Sequence, residues 1–170
     1  PLTAEEYGVL IESATPSLAD YAAAAADKLR RKYYGTDVYI RGLIEVGNIC
    51  RNDCLYCGMR ASNKHCDRYL LTEEQIAECC REGYRLGFRT FVLQGGEGAF
   101  PIDAVCSVVS EIRKSYQDCA ITLSLGEYPR DDYKRMFDSG ADRYLLRHET
   151  ADKDHYKKLH PSSMSFENRR

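Results

Sequence analysis

The hydrophobic pattern of this chain switches between helical and strand periods. Thr3 is placed to cap a helix over Ala4 to Glu12, with Tyr7, Leu10 and Ile11 on one face. Ser17 is placed to cap a second over Leu18 to Lys32, where Tyr21, Ala25 and Leu29 form an apolar stripe above a basic end. Gly35 stops it. Val38 to Val46 (VYIRGLIEV) then reads as a strand. Thr72-Glu-Glu-Gln75 is a capping box, opening a helix with Ile76, Cys79, Cys80 and Leu86 apolar and Gly87 at its end. Strands follow at Thr90 to Gln94, Ala120 to Leu125 and Arg143 to Arg147. Helices follow at Ile102 to Ser115, Asp131 to Ser139 and Asp152 to Leu159, and Ser165 caps the start of one more.

Strand and helix thus alternate four times, about 30 to 35 residues per unit, the mark of a parallel sheet with crossover helices. The expected fold class is α/β, a partial (β/α) barrel of about four parallel βα units preceded by two N-terminal helices. A complete (β/α)8 barrel needs roughly 200 residues or more. The expected division is a helical segment over 1–35 and the N-terminal half of a barrel over 36–170, with the C-terminal half absent from this chain. An open doubly wound sheet is the alternative, but no Gly-x-Gly-x-x-Gly follows the first strand. In a half barrel the first and fourth strands are open edges. The inner face, drawn from Leu43, Glu45, Val92, Gln94, Thr122, Ser124, Leu145 and Arg147, lacks its opposite strands.

Composition narrows the classes. The chain has 170 residues, 44% hydrophobic and 29% charged, which suits a domain with a buried core and not a disordered tail. A net charge of -2 gives no reason to expect a nucleic-acid partner. No apolar run approaches the roughly 20 residues that span a bilayer, so no membrane partner is expected. No signal peptide is visible, which points to a reducing, cytoplasmic compartment. The first residue is Pro1, so the chain reads as a piece of a longer one.

Eight cysteines are unusual in that compartment, and disulfides are a poor default there. Cys79, Cys80, Cys106 and Cys119 lie in or beside apolar elements and read as core. Cys66, in a polar loop, reads as an exposed free thiol. Cys50-x3-Cys54-x2-Cys57 is different. It follows a strand end, in a segment crowded with Gly, Asn and Asp. Three thiolates hold three irons of a 4Fe-4S cluster and leave the fourth iron open to a chelating small molecule. Two other readings stand beside it. Positions i, i+4 and i+7 share a helix face, so the thiols could be core; or Cys66 or His65 could complete a zinc site.

The Cys-x3-Cys-x2-aromatic-Cys motif resembles the radical S-adenosylmethionine (radical SAM) superfamily. YIRGLIE, CRNDCLYCGMR, FVLQGGEG, TLSLGEYPR, GADRYLLRHET and SFENR together resemble the FeFe-hydrogenase maturase HydE family. The resemblance runs over essentially the whole chain and about the first half of such an enzyme. It implies a 4Fe-4S cluster on Cys50, Cys54 and Cys57, and S-adenosyl-L-methionine (SAM) as second cofactor. It implies an enzyme that reductively cleaves SAM to a 5′-deoxyadenosyl radical in assembly of the hydrogenase di-iron subcluster. Its partners would be a small-molecule or iron-complex substrate, an electron donor such as a ferredoxin or flavodoxin, and other hydrogenase maturases. Rival readings are a biotin-synthase-like or methylornithine-synthase-like enzyme, a non-catalytic iron–sulfur or zinc module, and an inactive fragment.

Barrels of this kind keep their chemistry at the C-terminal strand ends. Four polar clusters fall there: the cysteine loop, Gln94-Gly95-Gly96-Glu97, Gly126-Glu127 and Arg147-His148-Glu149-Thr150. Gly95 and Gly96 remove side chains where a ligand meets the backbone, or simply serve a turn. By resemblance, Gly95, Gly96 and Glu97 hold the SAM amino group, Arg169 its carboxylate, Glu149 the ribose hydroxyls, and Tyr56 flanks adenine. Ser124 shares a face with Thr122 and is a ligand-contact candidate. Arg147 is a candidate for gripping an anionic substrate, an ordinary interior polar role being the alternative. His148 reads as structural, and Glu127 has no assigned role.

Overall fold

A computed structural model describes residues 1–169; Arg170, which closes the expected second segment, lies outside them. The chain divides into two compact units, Pro1–Tyr39 and Ile40–Arg170. The first holds α1 (Ala4–Glu12) and α2 (Pro16–Tyr34), neither with a buried residue. Thr3 caps α1 through a full capping box with Glu6. The second helix starts earlier than Ser17 predicts. Pro16 takes its first turn, where a missing N–H costs nothing, and Thr15 Oγ1 accepts from Leu18 N.

The second unit follows in the order β1 (Gly42–Gly47), α3 (Glu73–Arg85), β2 (Thr90–Gly95), α4 (Ile102–Ser115), β3 (Ala120–Ser124), α5 (Arg130–Asp138), β4 (Arg143–Tyr144), α6 (Lys153–Leu159) and α7 (Phe166–Arg169). The four strands form one parallel sheet in chain order. This is the expected run of βα units, and two strands differ in extent by more than one residue. β1 begins at Gly42, not Val38, because its ladder partner starts at Phe91 and nothing pairs with the residues before it. Val38, Tyr39 and Ile40 are accordingly exposed. β4 stops at Tyr144 because only Thr122 and Leu123 face it.

The register sorts the two faces. Ile44, Leu93, Leu123 and Tyr144 align across the sheet. With Phe91 and Ile121 they pack under Ile76 and Cys80 of α3 and Val105, Val108, Val109 and Ile112 of α4. The opposite face carries Leu43, Val92 and Thr122 in one row and Glu45, Gln94 and Ser124 in the next, as the sequence register predicts. Leu43 and Leu145 on that face are exposed, while Val92, Thr122 and Ser124 are buried. Cys80 and Cys119 are core, whereas Cys79 and Leu86 face outward, against the reading that put both on the buried stripe. No helix among the described residues is long and apolar enough to cross a membrane.

Candidate functional site

The C-terminal ends of the strands open into one cleft. It is lined by Cys50, Cys54, Tyr56 and Cys57 from the loop after β1, and by Gln94, Gly95, Gly96 and Glu97 from the end of β2. Ser124 and Gly126 line it from β3, Leu145, Leu146, Arg147 and Glu149 from beyond β4, and His160 and Arg169 from the last two helices. All the candidate cluster, SAM and substrate residues therefore come together.

The cysteine loop has no regular structure, so something else must hold it. Arg68 does much of this. Its guanidinium donates to the carbonyls of Asn48 (2.6 Å), Met59 (2.8 Å), Arg60 (2.7 Å) and Asn63 (3.1 Å). Arg51 N–H donates to Glu97 O at 2.8 Å, and Leu55 N–H to Leu159 O at 2.9 Å. The three thiols are half-buried around the opening. Burial, and less so the neighbouring Cys50 and Cys57, push the Cys54 thiol up against a lowering contribution from Tyr56. Among the described residues, no three His, Cys, Asp or Glu side chains converge on a single-ion site. Three thiols around one opening suit a cluster, whose irons stand at separate corners. Neither Cys66 nor His65 lines the cleft. Cys66 is partly buried and accepts from Asn48 Nδ2 at 3.4 Å.

Glu97 is the buried anion of the site, 7% exposed. Burial pushes its carboxyl up. Hydrogen bonds from Arg51 and Asn52, with the nearby Arg169 charge, outweigh that and hold it below the usual carboxylate range. Arg169 is its buried cation: Nη2 donates to Glu97 Oε2 at 3.2 Å. Arg169 Nε stands 2.7 Å from Glu127 Oε1, but its N–H is not aimed along that contact and makes no hydrogen bond.

Tyr56 leans on an aromatic stack. Its ring meets His160 edge-on at 5.5 Å, and its hydroxyl lies 3.4 Å from His160 Nε2. His160 stacks on Tyr156 at 3.9 Å. Burial, then the neighbouring Cys54 and Glu149, push the Tyr56 phenol up, keeping it neutral. Arg147 donates to Gln94 Oε1, and Gln94 Nε2 reaches Glu45 Oε2 at 3.5 Å, a polar row across the open face. Glu149 holds φ +66°, the left-handed region that a glutamate rarely adopts. His148 is exposed, its Nδ1 lies 3.2 Å from Thr150 O, and it does not line the cleft. Arg51, Arg68, Glu127 and His160 carry no local sequence signal. Arg51, Glu127 and His160 matter through a partner distant in the chain, and Arg68 through carbonyls of its own loop.

A protein-family model described as the Radical SAM superfamily matches residues 44–170. The chain is 50% identical over 145 residues to the [FeFe] hydrogenase maturase subunit HydE of Thermotoga maritima, a match covering 85% of this chain and 41% of that protein. It is 31% identical over 149 residues to a biotin synthase of Staphylococcus epidermidis, covering 85% and 47%. A crystal structure of methylornithine synthase (PylB) superposes with a TM-score of 0.83 at 26% identity, covering 99% of this chain and 50% of that one. The chain thus spans about half the length, or somewhat less, of the proteins it matches.

Proposed function

The chain belongs to the radical SAM superfamily, and we propose that it forms the cluster- and SAM-binding part of an enzyme that acts in hydrogenase maturation. The observation that carries this reading is the shared cleft: three thiols, a buried Glu–Arg pair and an acidic residue in strained backbone come from three strand ends and the last helix to line one opening. Biotin synthase and methylornithine synthase resemble the same region, so the maturase assignment rests on the higher identity to HydE.

Cys50, Cys54 and Cys57 would hold three irons of a 4Fe-4S cluster, and SAM would chelate the fourth. When bound, the pair supplies one-electron reductive cleavage of the sulfonium C–S bond. The residues of this chain do the rest. Cys54, whose thiol is pushed up by burial, would have to give up its proton to serve as a ligand. Glu97 would accept from the SAM ammonium, beside Gly95 and Gly96, and the Arg169 fork would take its carboxylate. Glu149 would accept from the ribose hydroxyls, since a carboxylate offers only acceptors. Tyr56 would pack on adenine, and Ser124 would contact the ligand from the end of β3. Arg147, held by Gln94, would face an anionic substrate, a small iron complex in the maturase reading. An electron donor of ferredoxin or flavodoxin type would feed the cluster in the cytoplasm, where other maturases would meet the product.

Anaerobic reconstitution of the full-length protein tests this. About four irons and four sulfides per chain are expected, with a reduced-state EPR spectrum that changes when SAM is added. One zinc, or a spectrum indifferent to SAM, would reject the reading.

A further inference from the structure

Glu97 and Arg169 are paired with each other, and each is also paired on its far side. Arg51 brings Nε at 3.0 Å and Nη2 at 2.8 Å to Glu97 Oε1. Glu127 Oε1 stands 2.7 Å from Arg169 Nε. In space the charges alternate: Arg51, Glu97, Arg169, Glu127. The inner two side chains are each 8% exposed, whereas Arg51 is 58% and Glu127 29% exposed. The backbone is shaped for this row. Gly126 holds φ +93°, and a Cβ there would lie 2.1 Å from Glu97 Cγ.

The links are unequal. Glu97 receives two donors from Arg51 but a single one, at 3.2 Å, from Arg169. The Arg169–Glu127 contact is an ion pair without a hydrogen bond, so Glu97 is the more firmly held of the two inner groups, and the link between them rests on one donor. Opening that inner link alone leaves two buried charges each with only its outer partner, which is penalised. A ligand that carries both an ammonium and a carboxylate removes the penalty, because it supplies a counter-charge to each side.

We propose that Arg51 and Glu127 are positioning residues that hold Glu97 and Arg169 as a placeholder pair, which a zwitterionic α-amino-acid group splits on binding. Its ammonium goes to Glu97 and its carboxylate to Arg169, and six charges then alternate where four did. No proton or electron moves. The inference rests on the SAM reading above, since the methionine end of SAM is such a group. A nucleoside lacking that end leaves the inner pair closed and gains nothing from the outer residues.

The test compares equilibrium binding of SAM and of 5′-methylthioadenosine, which lacks the amino-acid end, to the cluster-loaded full-length protein. Glu127→Gln should weaken SAM at least tenfold and 5′-methylthioadenosine less than twofold. Arg51→Lys keeps the charge but loses the two-donor fork, and on a more exposed side chain should give the same selective loss. Glu127→Asp should recover part of the preference for SAM. Parallel loss of both ligands, or unchanged SAM affinity in both variants, overturns the inference while leaving the SAM reading standing. Wild-type protein that holds its cluster and binds neither ligand overturns both.

Discussion

A Cβ at Gly96 would stand 1.9 Å from the carbonyl oxygen of Ile49, the residue before the first cysteine. No side chain fits there without moving backbone. At Gly95 the nearest atom to such a Cβ is the Gly47 carbonyl oxygen, at 2.9 Å. The two glycines thus admit the protein's own chain: the end of β1 and the start of the cysteine loop lie directly on the end of β2. They line the cleft as well, but what they are shaped for first is the seating of the loop.

Gly96→Ala should therefore lift the cysteine loop off β2. Overpacking of this kind costs about 1 to 3 kcal/mol, and iron retention should fall with the displaced thiols. Gly58, in the same loop, meets nothing within 4 Å of its Cβ position. Gly58→Ala should leave both thermal stability and iron content near wild type. Equal behaviour of the two variants in melting and iron assays would remove the seating role from Gly96.

Cys50→Ala, Cys54→Ala and Cys57→Ala should each abolish the reconstituted cluster, because each thiol lines the cleft. Cys66→Ala should retain it, since Cys66 turns to Asn48 and not to the cleft. Iron and sulfide content per chain is the measurement. Loss of iron in Cys66→Ala with retention in Cys54→Ala would mean that the ligand set is different.

What was legible in the sequence was local. The Thr72–Gln75 capping box, the cysteine spacing and the two-residue alternation that puts Gln94 with Ser124 are all set within a few positions of themselves. Val38 to Ile40 misled because an apolar run looks like a strand whether or not a ladder partner lies beside it. Ser17 and Thr15 are both good caps, and only Pro16, which suits a first turn, decides for Thr15. Arg51 and Arg169 find Glu97 across 46 and 72 residues of chain, and no pattern of spacing announces such a meeting. His160 acts in the same non-local way, by backing the Tyr56 ring, whereas Arg68 gathers carbonyls of its own loop, where no regular pattern announces it.

The buried ionic row has a pH signature. The Glu97 carboxyl is held below its ordinary value of 4.5 in the folded protein. Below that value the unfolded chain takes up a proton that the folded one still refuses, so stability falls as pH drops. The contribution is fully present above the unfolded value and is lost as pH falls through the folded one. Glu97→Gln breaks the pair and leaves Arg169 with Glu127 alone, which costs less than the roughly 3 to 5 kcal/mol of a wholly unpaired buried charge near neutrality. The gap in unfolding free energy between wild type and Glu97→Gln should narrow steadily below about pH 4.5. A gap that stays constant from pH 7 to pH 3 would show that the carboxylate charge contributes nothing.

Glu149 couples strain to binding. Its φ of +66° places an L side chain where glycine is preferred. Left-handed backbone costs a non-glycine residue roughly 1 to 2 kcal/mol, and Glu149 is exposed, so little packing offsets it. The residue lines the cleft, and its charge reaches Tyr56 of the cysteine loop. Backbone strain of this kind concentrates at binding sites. Two substitutions separate the backbone from the carboxylate. Glu149→Gly should relieve the strain and raise stability by about 0.5 to 1 kcal/mol, while removing the acceptor for the ribose hydroxyls. Glu149→Gln should keep the strain and lose only the charge, weakening SAM by about 1.5 to 3 kcal/mol, the range of a hydrogen bond to a charged group. Thermal or denaturant unfolding reads the first effect and SAM titration the second. If Glu149→Gly binds SAM as wild type does, the strained carboxylate is not a ligand contact. If it melts below Glu149→Gln, the backbone at this position is not strained in solution.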